Sequence, residues 1–182
     1  MKILNSSIIK ILKNGGVGVL PTDTLYGLVG SALSKKTVER IYKLKKRNFK
    51  KPFIILISSI NDLKIFEIKV DENIKKFLRK RKTSIILSCS VKKYKYLHRG
   101  KKSLAFRIPH KQNLIKLLKK VGPLVVPSAN LENKIPAYNI IQAQKYFGDQ
   151  VDFYINEGIK KSFPSRLIII ENQQVITKRK AK

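Results

Sequence analysis

Gly16-Val17-Gly18-Val19-Leu20-Pro21-Thr22-Asp23-Thr24-Leu25-Tyr26-Gly27 is the stretch on which the reading of the fold turns. Val17 to Leu20 is an apolar run of strand length, consistent with a strand buried on both faces, and Pro21 breaks it. A polar loop rich in hydroxyls follows, Thr22 to Thr24. Upstream, Asn5, Ser6 and Ser7 are candidate caps for a short helix carrying Ile8, Ile9 and Leu12 on one side and ended by Asn14-Gly15-Gly16. Helix, buried strand and polar loop together make the first unit of an α/β chain.

The pattern repeats downstream. Val38, Ile41, Tyr42 and Leu44 stand near helical spacing between Lys35 and Lys46, and Phe53 to Ile57 is a continuous apolar run. Helices are predicted across Glu72–Lys80, Asn113–Lys120 and Ile140–Phe147. Strands are predicted at Ser84–Leu87, Leu104–Ile108, Leu124–Val126, Val151–Ile155 and Leu167–Ile170. Alternating helices and strands, several of the latter apolar on both faces, predict an α/β sheet covered by helices. No repeat or linker divides the chain, so one domain is expected over 1–176, with a detachable basic tail at 177–182.

Composition narrows the function. A chain of 182 residues with 43% apolar content suits a single packed core. No apolar run reaches the length of a membrane span, and the N-terminus lacks the pattern of a signal peptide, so no membrane association is expected. One cysteine, Cys89, allows neither an internal disulfide nor a zinc cluster; it is expected as inert core in a cytoplasmic protein. His98 and His110 lack metal-ligand spacing and are expected in solvated or capping roles. Forty basic residues against eleven acidic ones give a formal charge of +29, which favours phosphate-rich partners. The density of Lys, Ile and Asn also fits the compositional drift of an AT-rich genome, so charge alone does not define an RNA-binding protein.

Candidate chemistry lies in three polar segments: Pro21 to Gly27, Pro127-Ser128-Ala129-Asn130, and Pro164-Ser165-Arg166. Taken singly they read as turns and helix caps; their joint occurrence points to a site beyond the carboxyl ends of the strands. Lys45-Lys46-Arg47, with Lys50-Lys51-Pro52 close behind, complements a helix C-terminus and also suits an anion clamp for a triphosphate. Arg107 interrupts an apolar strand and needs an anion; with eleven carboxylates in the chain, a ligand is the favoured partner. Neither a Walker-type loop nor a strand-borne GxGxxG is present.

These residues bear a resemblance to a known family. Gly16 to Leu28, with its PTDTxYG core, is similar to the N-terminal signature of the YrdC-like family of threonylcarbamoyl-AMP synthases. Lys45-Lys46-Arg47 resembles its KxR element, Lys51-Pro52-Phe53-Ile54-Ile55 its KP strand, and Ala105-Phe106-Arg107-Ile108-Pro109 its RxP strand. Gly122 to Leu131 resembles its SAN segment, and Gly158 to Ser165 its GxxxxxPS turn. Order and spacing agree over nearly the whole chain. Three positions depart: Arg79 to Ser84 replaces a WPGPLT-like turn, Arg166 stands where threonine is usual, and the closing arginine-glycine element appears as Lys178-Arg179-Lys180.

The resemblance implies a single-domain, twisted mixed sheet flanked by helices, with a concave positive pocket, and the short form of the enzyme. It implies that L-threonine, bicarbonate and ATP yield threonylcarbamoyl-AMP and pyrophosphate, for N6-threonylcarbamoyladenosine at position 37 of ANN-decoding tRNAs. Thr24, Arg107 and Ser128 would hold threonine; Lys45, Arg47, Lys51, Ser103, Asn130, Tyr138 and Ser165 would hold ATP, with Lys45 and Arg47 acting in catalysis. Mg2+ would arrive on the phosphates with no protein ligand assigned, and tRNA or its transferase machinery would be a transient partner. An RNA-binding or ribosome-associated module without catalysis is the alternative that the charge suggests. A carbamoyl-adenylate module of hydrogenase maturation is disfavoured by the absence of cysteine-rich elements.

Overall fold

A computed structural model describes residues 3–171 and 174–180. Six helices, α1 Ser6–Lys13, α2 Lys35–Leu44, α3 Glu72–Leu78, α4 Lys95–His98, α5 Gln112–Val121 and α6 Ile140–Phe147, alternate with strands among the described residues. The strands are β1 Val17–Pro21, β2 Tyr26–Ser31, β3 Ile54–Leu56, β4 Thr83–Ser88, β5 Ser103–Arg107, β6 Leu124–Val125, β7 Phe153–Tyr154, β8 Arg166–Glu171 and β9 Gln174–Arg179. They form one mixed sheet in the order β7-β1-β2-β6-β3-β5-β4-β8-β9. Parallel pairs (β1 with β7, β3 with β5, β4 with β8) sit among antiparallel ones. Among the described residues no helix is long and apolar enough to cross a membrane.

Local chemistry accounts for the helix boundaries. Asn5 accepts from the Ser7 amide at the start of α1, Ser34 from Thr37 at α2, Asp71 from Ile74 at α3 and Asn139 from Gln142 at α6. Beyond α2, Lys46 takes φ +50 and the chain reverses toward β3.

The two faces of the sheet are covered unequally, and this makes the site. One face is packed along its length: Val17, Val19, Leu28, Ile55, Ile85, Phe106 and Ile168 join α2, α3, α4 and α6 in a single cluster. On the other face α1 and α5 cover the region of β1, β2 and β6 and reach the end of β3, meeting Leu20, Val29, Leu56 and Leu124. The rest of that face, across β3, β5, β4 and β8, lies under no helix. Its alternating positions Ile54, Ile86, Ala105 and Leu167 are half-buried, while their neighbours Ile55, Ile85, Phe106 and Ile168 are fully buried.

Several expectations are corrected. The Tyr26–Ser31 segment, left without an element by the sequence reading, is the hairpin partner of β1, paired from Val17↔Gly30 to Pro21↔Tyr26. Its glycines and serine suppress the strand signal, and close packing explains one of them. A Cβ on Gly30 would lie 2.5 Å from Thr37 Cγ2. Thr37 cannot easily turn away, since its hydroxyl donates to Gly15 O at 2.8 Å and shares a hydroxyl contact of 2.9 Å with Ser34. The basic segment from Thr177 does not hang free: through Arg179 it is the end of β9, zipped to β8 with Ile168↔Thr177 and Leu167↔Arg179. Ala181 and Lys182 lie outside the described residues. His98 is buried at the C-terminal end of α4, its Nδ1 accepting from the Gly100 amide at 3.2 Å, whereas a solvated or N-capping role was expected. Cys89 is buried as expected, one residue past β4, and burial pushes its thiol pKa up.

Substituting Gly30→Ala is expected to lower stability by about 1–3 kcal/mol through overpacking against α2. Urea denaturation followed by circular dichroism measures it; a change below about 0.5 kcal/mol, the range of neutral surface substitutions, counts against this packing.

Candidate functional site

The uncovered part of the sheet is the floor of a cavity of about 490 Å³. Ile54, Leu56, Ile86, Ala105 and Leu167 form the apolar floor, and three loops build the walls. The Thr22–Leu25 turn between β1 and β2 brings Thr22 and Thr24, the segment after β6 brings Pro127 and Ser128, and the approach to β8 brings Pro164 and Ser165. The three polar segments singled out in the sequence therefore do converge. They converge over the part of the sheet that α1 and α5 leave bare, with Thr22 and Pro127 just past the carboxyl ends of β1 and β6.

Four cations line the cavity, Arg47, Lys101, Arg107 and Arg179, and no carboxylate is among the described residues that line it. Each guanidinium is steered by other groups. Arg107, the last residue of β5, is buried; its Nη2 donates to Asp23 Oδ1 at 2.5 Å and its Nη1 to Thr24 Oγ1 at 3.2 Å. Asp23 Oδ2 also accepts from the His110 amide at 3.1 Å. The anion of Arg107 is thus a protein carboxylate, where a ligand was expected. Eleven carboxylates in the whole chain make a protein partner scarce on average, yet one of them, Asp23, stands inside the motif itself. Arg107 Nε is buried without a partner among the described residues, and burial lowers the guanidinium pKa against the pull of Asp23.

Arg47 donates from Nε to Lys51 O at 3.2 Å and lies 5.3 Å over the Phe53 ring. Arg179, which the sequence reading did not assign to the site, reaches back from β9. It donates to Ser165 O from Nε and Nη2, at 3.1 and 2.9 Å. Burial lowers its pKa, and the charges of Arg107 and Arg47 press in the same direction. The signal that could have found it is the Lys178-Arg179-Lys180 departure, whose register β9 now settles. Ser165 is buried and shares a hydroxyl contact of 2.8 Å with Ser84, so the turn that replaces WPGPLT keeps a polar role behind the wall.

The other expected residues divide. Thr24, Ser103, Ser128, Ser165, Arg47 and Arg107 line the cavity; Lys45, Lys51, Asn130 and Tyr138 do not. Lys51 is exposed and paired with Glu132 at 2.7 Å. Tyr138 is 40% exposed, ahead of α6. Lys45 turns inward and is fully buried; its Nζ contacts Ser128 O at 2.6 Å, Asn130 O at 2.5 Å and Asn130 Oδ1 at 3.0 Å. Asn130 Oδ1 in turn accepts from Ser128 Oγ at 2.7 Å. The lysine therefore pins the loop that presents Ser128, with its donors already spent on protein oxygens.

Together, fold and cavity define an α/β protein with an open sheet face and a cationic, hydroxyl-lined hollow suited to a small polar anion. The Sua5/YciO/YrdC family model, described as telomere recombination, matches residues 10–181, and the chain belongs to that family. A Methanocaldococcus jannaschii relative, provisionally named a threonylcarbamoyl-AMP synthase, is 31% identical over 92% of this chain and 81% of its own length. A Buchnera aphidicola protein named threonylcarbamoyl-AMP synthase is 27% identical over 91% of this chain and 98% of its own. The crystal structure of Pyrococcus abyssi Sua5 complexed with L-threonine shares the fold, with a TM-score of 0.87 at 23% identity over 95% of this chain. The present chain spans 52% of that protein's length.

Burial pulls the Lys45 ammonium down to about 7 from its usual 10.5, Arg47 adds to this, and Glu132 opposes it. A base whose folded pKa is lowered binds fewer protons folded than unfolded between those two values, so its contribution to stability rises with pH there. Relative to Lys45→Met, the wild-type chain is expected to gain stability from pH 7 toward pH 10, by up to about 1.4 kcal/mol per pH unit. Chemical denaturation of both proteins across that range measures it; parallel curves would overturn the assignment.

Proposed function

We propose that this chain is an L-threonylcarbamoyladenylate synthase, a nucleotidyltransferase working in the cytoplasm. The observation that carries the reading is the meeting of Arg47, Arg107, Arg179 and Ser128 in one cavity with no carboxylate among the described residues of its lining. The names borne by the relatives support it.

On this reading the triphosphate of ATP lies along the Arg47 and Arg179 side, with Ser103 and Ser165 as hydroxyl partners. L-Threonine sits against Thr24, Ser128 and the Arg107 edge. The threonine amine first attacks the bicarbonate carbon and water leaves, giving a carbamate. A carbamate oxygen then attacks the α-phosphorus, the bond from the α-phosphorus to the bridging oxygen breaks, and pyrophosphate leaves. Negative charge grows on phosphate oxygens as that bond breaks, and fixed guanidinium groups stabilise it without reorganising. Holding both reactants in one hollow removes much of the entropic barrier. Lys45 serves as a positioning residue for the Ser128–Asn130 loop, and Lys51 orders the Arg47 loop through Glu132. The lining offers no carboxylate oxygen to a divalent ion, so magnesium enters on the triphosphate, as part of the substrate.

The product is an activated adenylate. It would pass to a transferase acting on tRNA, so tRNA and that machinery are the proposed downstream partners. The non-catalytic RNA module suggested by charge draws no support from the names of the relatives.

The test is pyrophosphate release by purified protein given ATP, L-threonine and bicarbonate. Turnover is expected only with all three present. Arg47→Ala is expected to weaken ATP binding about tenfold or more while the circular dichroism spectrum stays unchanged, the loss of one charge-assisted contact. Absence of turnover from wild-type protein that binds ATP would overturn the proposal.

A further inference from the structure

A second cleft lies on the far side of the loop that carries Arg47. It measures about 460 Å³ and is lined in part by Phe49 and Lys50 from that loop, by Lys95 and Arg99, and by Lys35 and Glu39 of α2. Three observations bear on its purpose. First, its charge is uncompensated: four cations face one carboxylate, Glu39, which already lies 3.9 Å from Lys35. Second, Phe49 is 48% exposed although its ring stacks 5.1 Å from Tyr42. Third, the Arg99 guanidinium lies 4.3 Å over the Tyr42 ring and 5.2 Å from the Phe49 ring centre, while its buried Nε and Nη2 have no hydrogen-bond acceptor among the described residues.

A guanidinium held flat against rings is fixed in place without its charge being neutralised. Beside it stand a half-exposed aromatic ring and the exposed lysines Lys35, Lys50 and Lys95. Aromatic platform and basic rim together are the arrangement that takes a base by stacking and its phosphate by charge. We propose that this cleft binds an unpaired nucleotide, its base against Phe49 and its phosphate among Lys50, Lys95 and Lys35. The inference does not depend on the reaction in the first cavity. The nucleotide could be free or part of a single RNA strand, and the two sources are separable.

The experiment titrates full-length protein with fluorescent oligouridylate, and separately with AMP, at fixed moderate salt. Phe49→Ala and Lys95→Glu are each expected to weaken the nucleotide's binding at least tenfold. Lys120→Ala, which removes an exposed cation of α5 outside both cavities, is expected to change it less than twofold. Oligouridylate binding ten times tighter than AMP or better identifies an RNA strand as the source; comparable affinities identify a free nucleotide. Both substituted positions are exposed, and a thermal melt checks that each variant folds. The proposal is overturned if neither probe binds, or if Phe49→Ala and Lys95→Glu bind like wild type. It is equally overturned if Lys120→Ala loses as much as they do, or if duplex RNA competes as well as the single strand, which would reduce the effect to charge alone.

Discussion

Three guanidinium groups share one hollow, and like charges at close range repel. The fold has to hold Arg47, Arg107 and Arg179 together without quenching them, and most of the architecture around the cavity serves that end. A carboxylate in the lining would neutralise the site and compete with an anionic ligand. The single carboxylate partner, Asp23, bonds Arg107 from outside the lining and is itself anchored by the His110 amide. Arg47 and Arg179 are aimed instead by neutral carbonyls, Lys51 O and Ser165 O. Carbonyl dipoles orient a guanidinium while leaving its net charge available.

The same logic explains why the sheet is left bare over β3, β5, β4 and β8. A helix packed there would exclude the ligand, and the exposed floor is tolerable because its alternate residues are apolar and only half-covered. Lys45 closes the arrangement from behind. By binding three oxygens of the Ser128–Asn130 segment it joins the end of α2 to the loop after β6. Glu132 strengthens the same junction, accepting from the Asn48 amide and from Lys51. Removing the lysine would take a donor from each of these three oxygens and leave the Asn130 carbonyl with none among the described residues, a cost that falls on the site as well as on the fold.

Much of this was legible in the sequence. The helices were readable from caps and 3.6-residue spacing, and the central strands from their apolar runs. The convergence of Thr24, Arg107, Ser128 and Ser165 followed from three polar segments and a family resemblance. What escaped had physical causes. β2 is written in Gly27, Gly30 and Ser31, chosen for close approach and not for strand propensity. β9 looks like a tail because an edge strand exposes most of its side chains, and its Lys178 and Arg179 read as solvated charge. Lys45 was read as a ligand-facing cation because a motif names a residue type without saying which way the side chain points. Asp23 was hidden by position, since a carboxylate two residues from Pro21 reads as a turn former.

The departures from the family pattern fall where the cavity does not need the usual residue. Arg166 is outside the lining; its amide bonds Lys82 O and its guanidinium bonds Thr177 Oγ1, so it ties β8 to its two neighbours. The altered Arg79–Ser84 turn still delivers Ser84 to Ser165, and Ser165 is held a second time by Arg179. What is preserved is therefore the orientation of Ser165 and the field of the three arginines, while the segments behind them are free to change. A site defined by charge placement and hydroxyl direction tolerates substitution wherever backbone pairing alone can keep both.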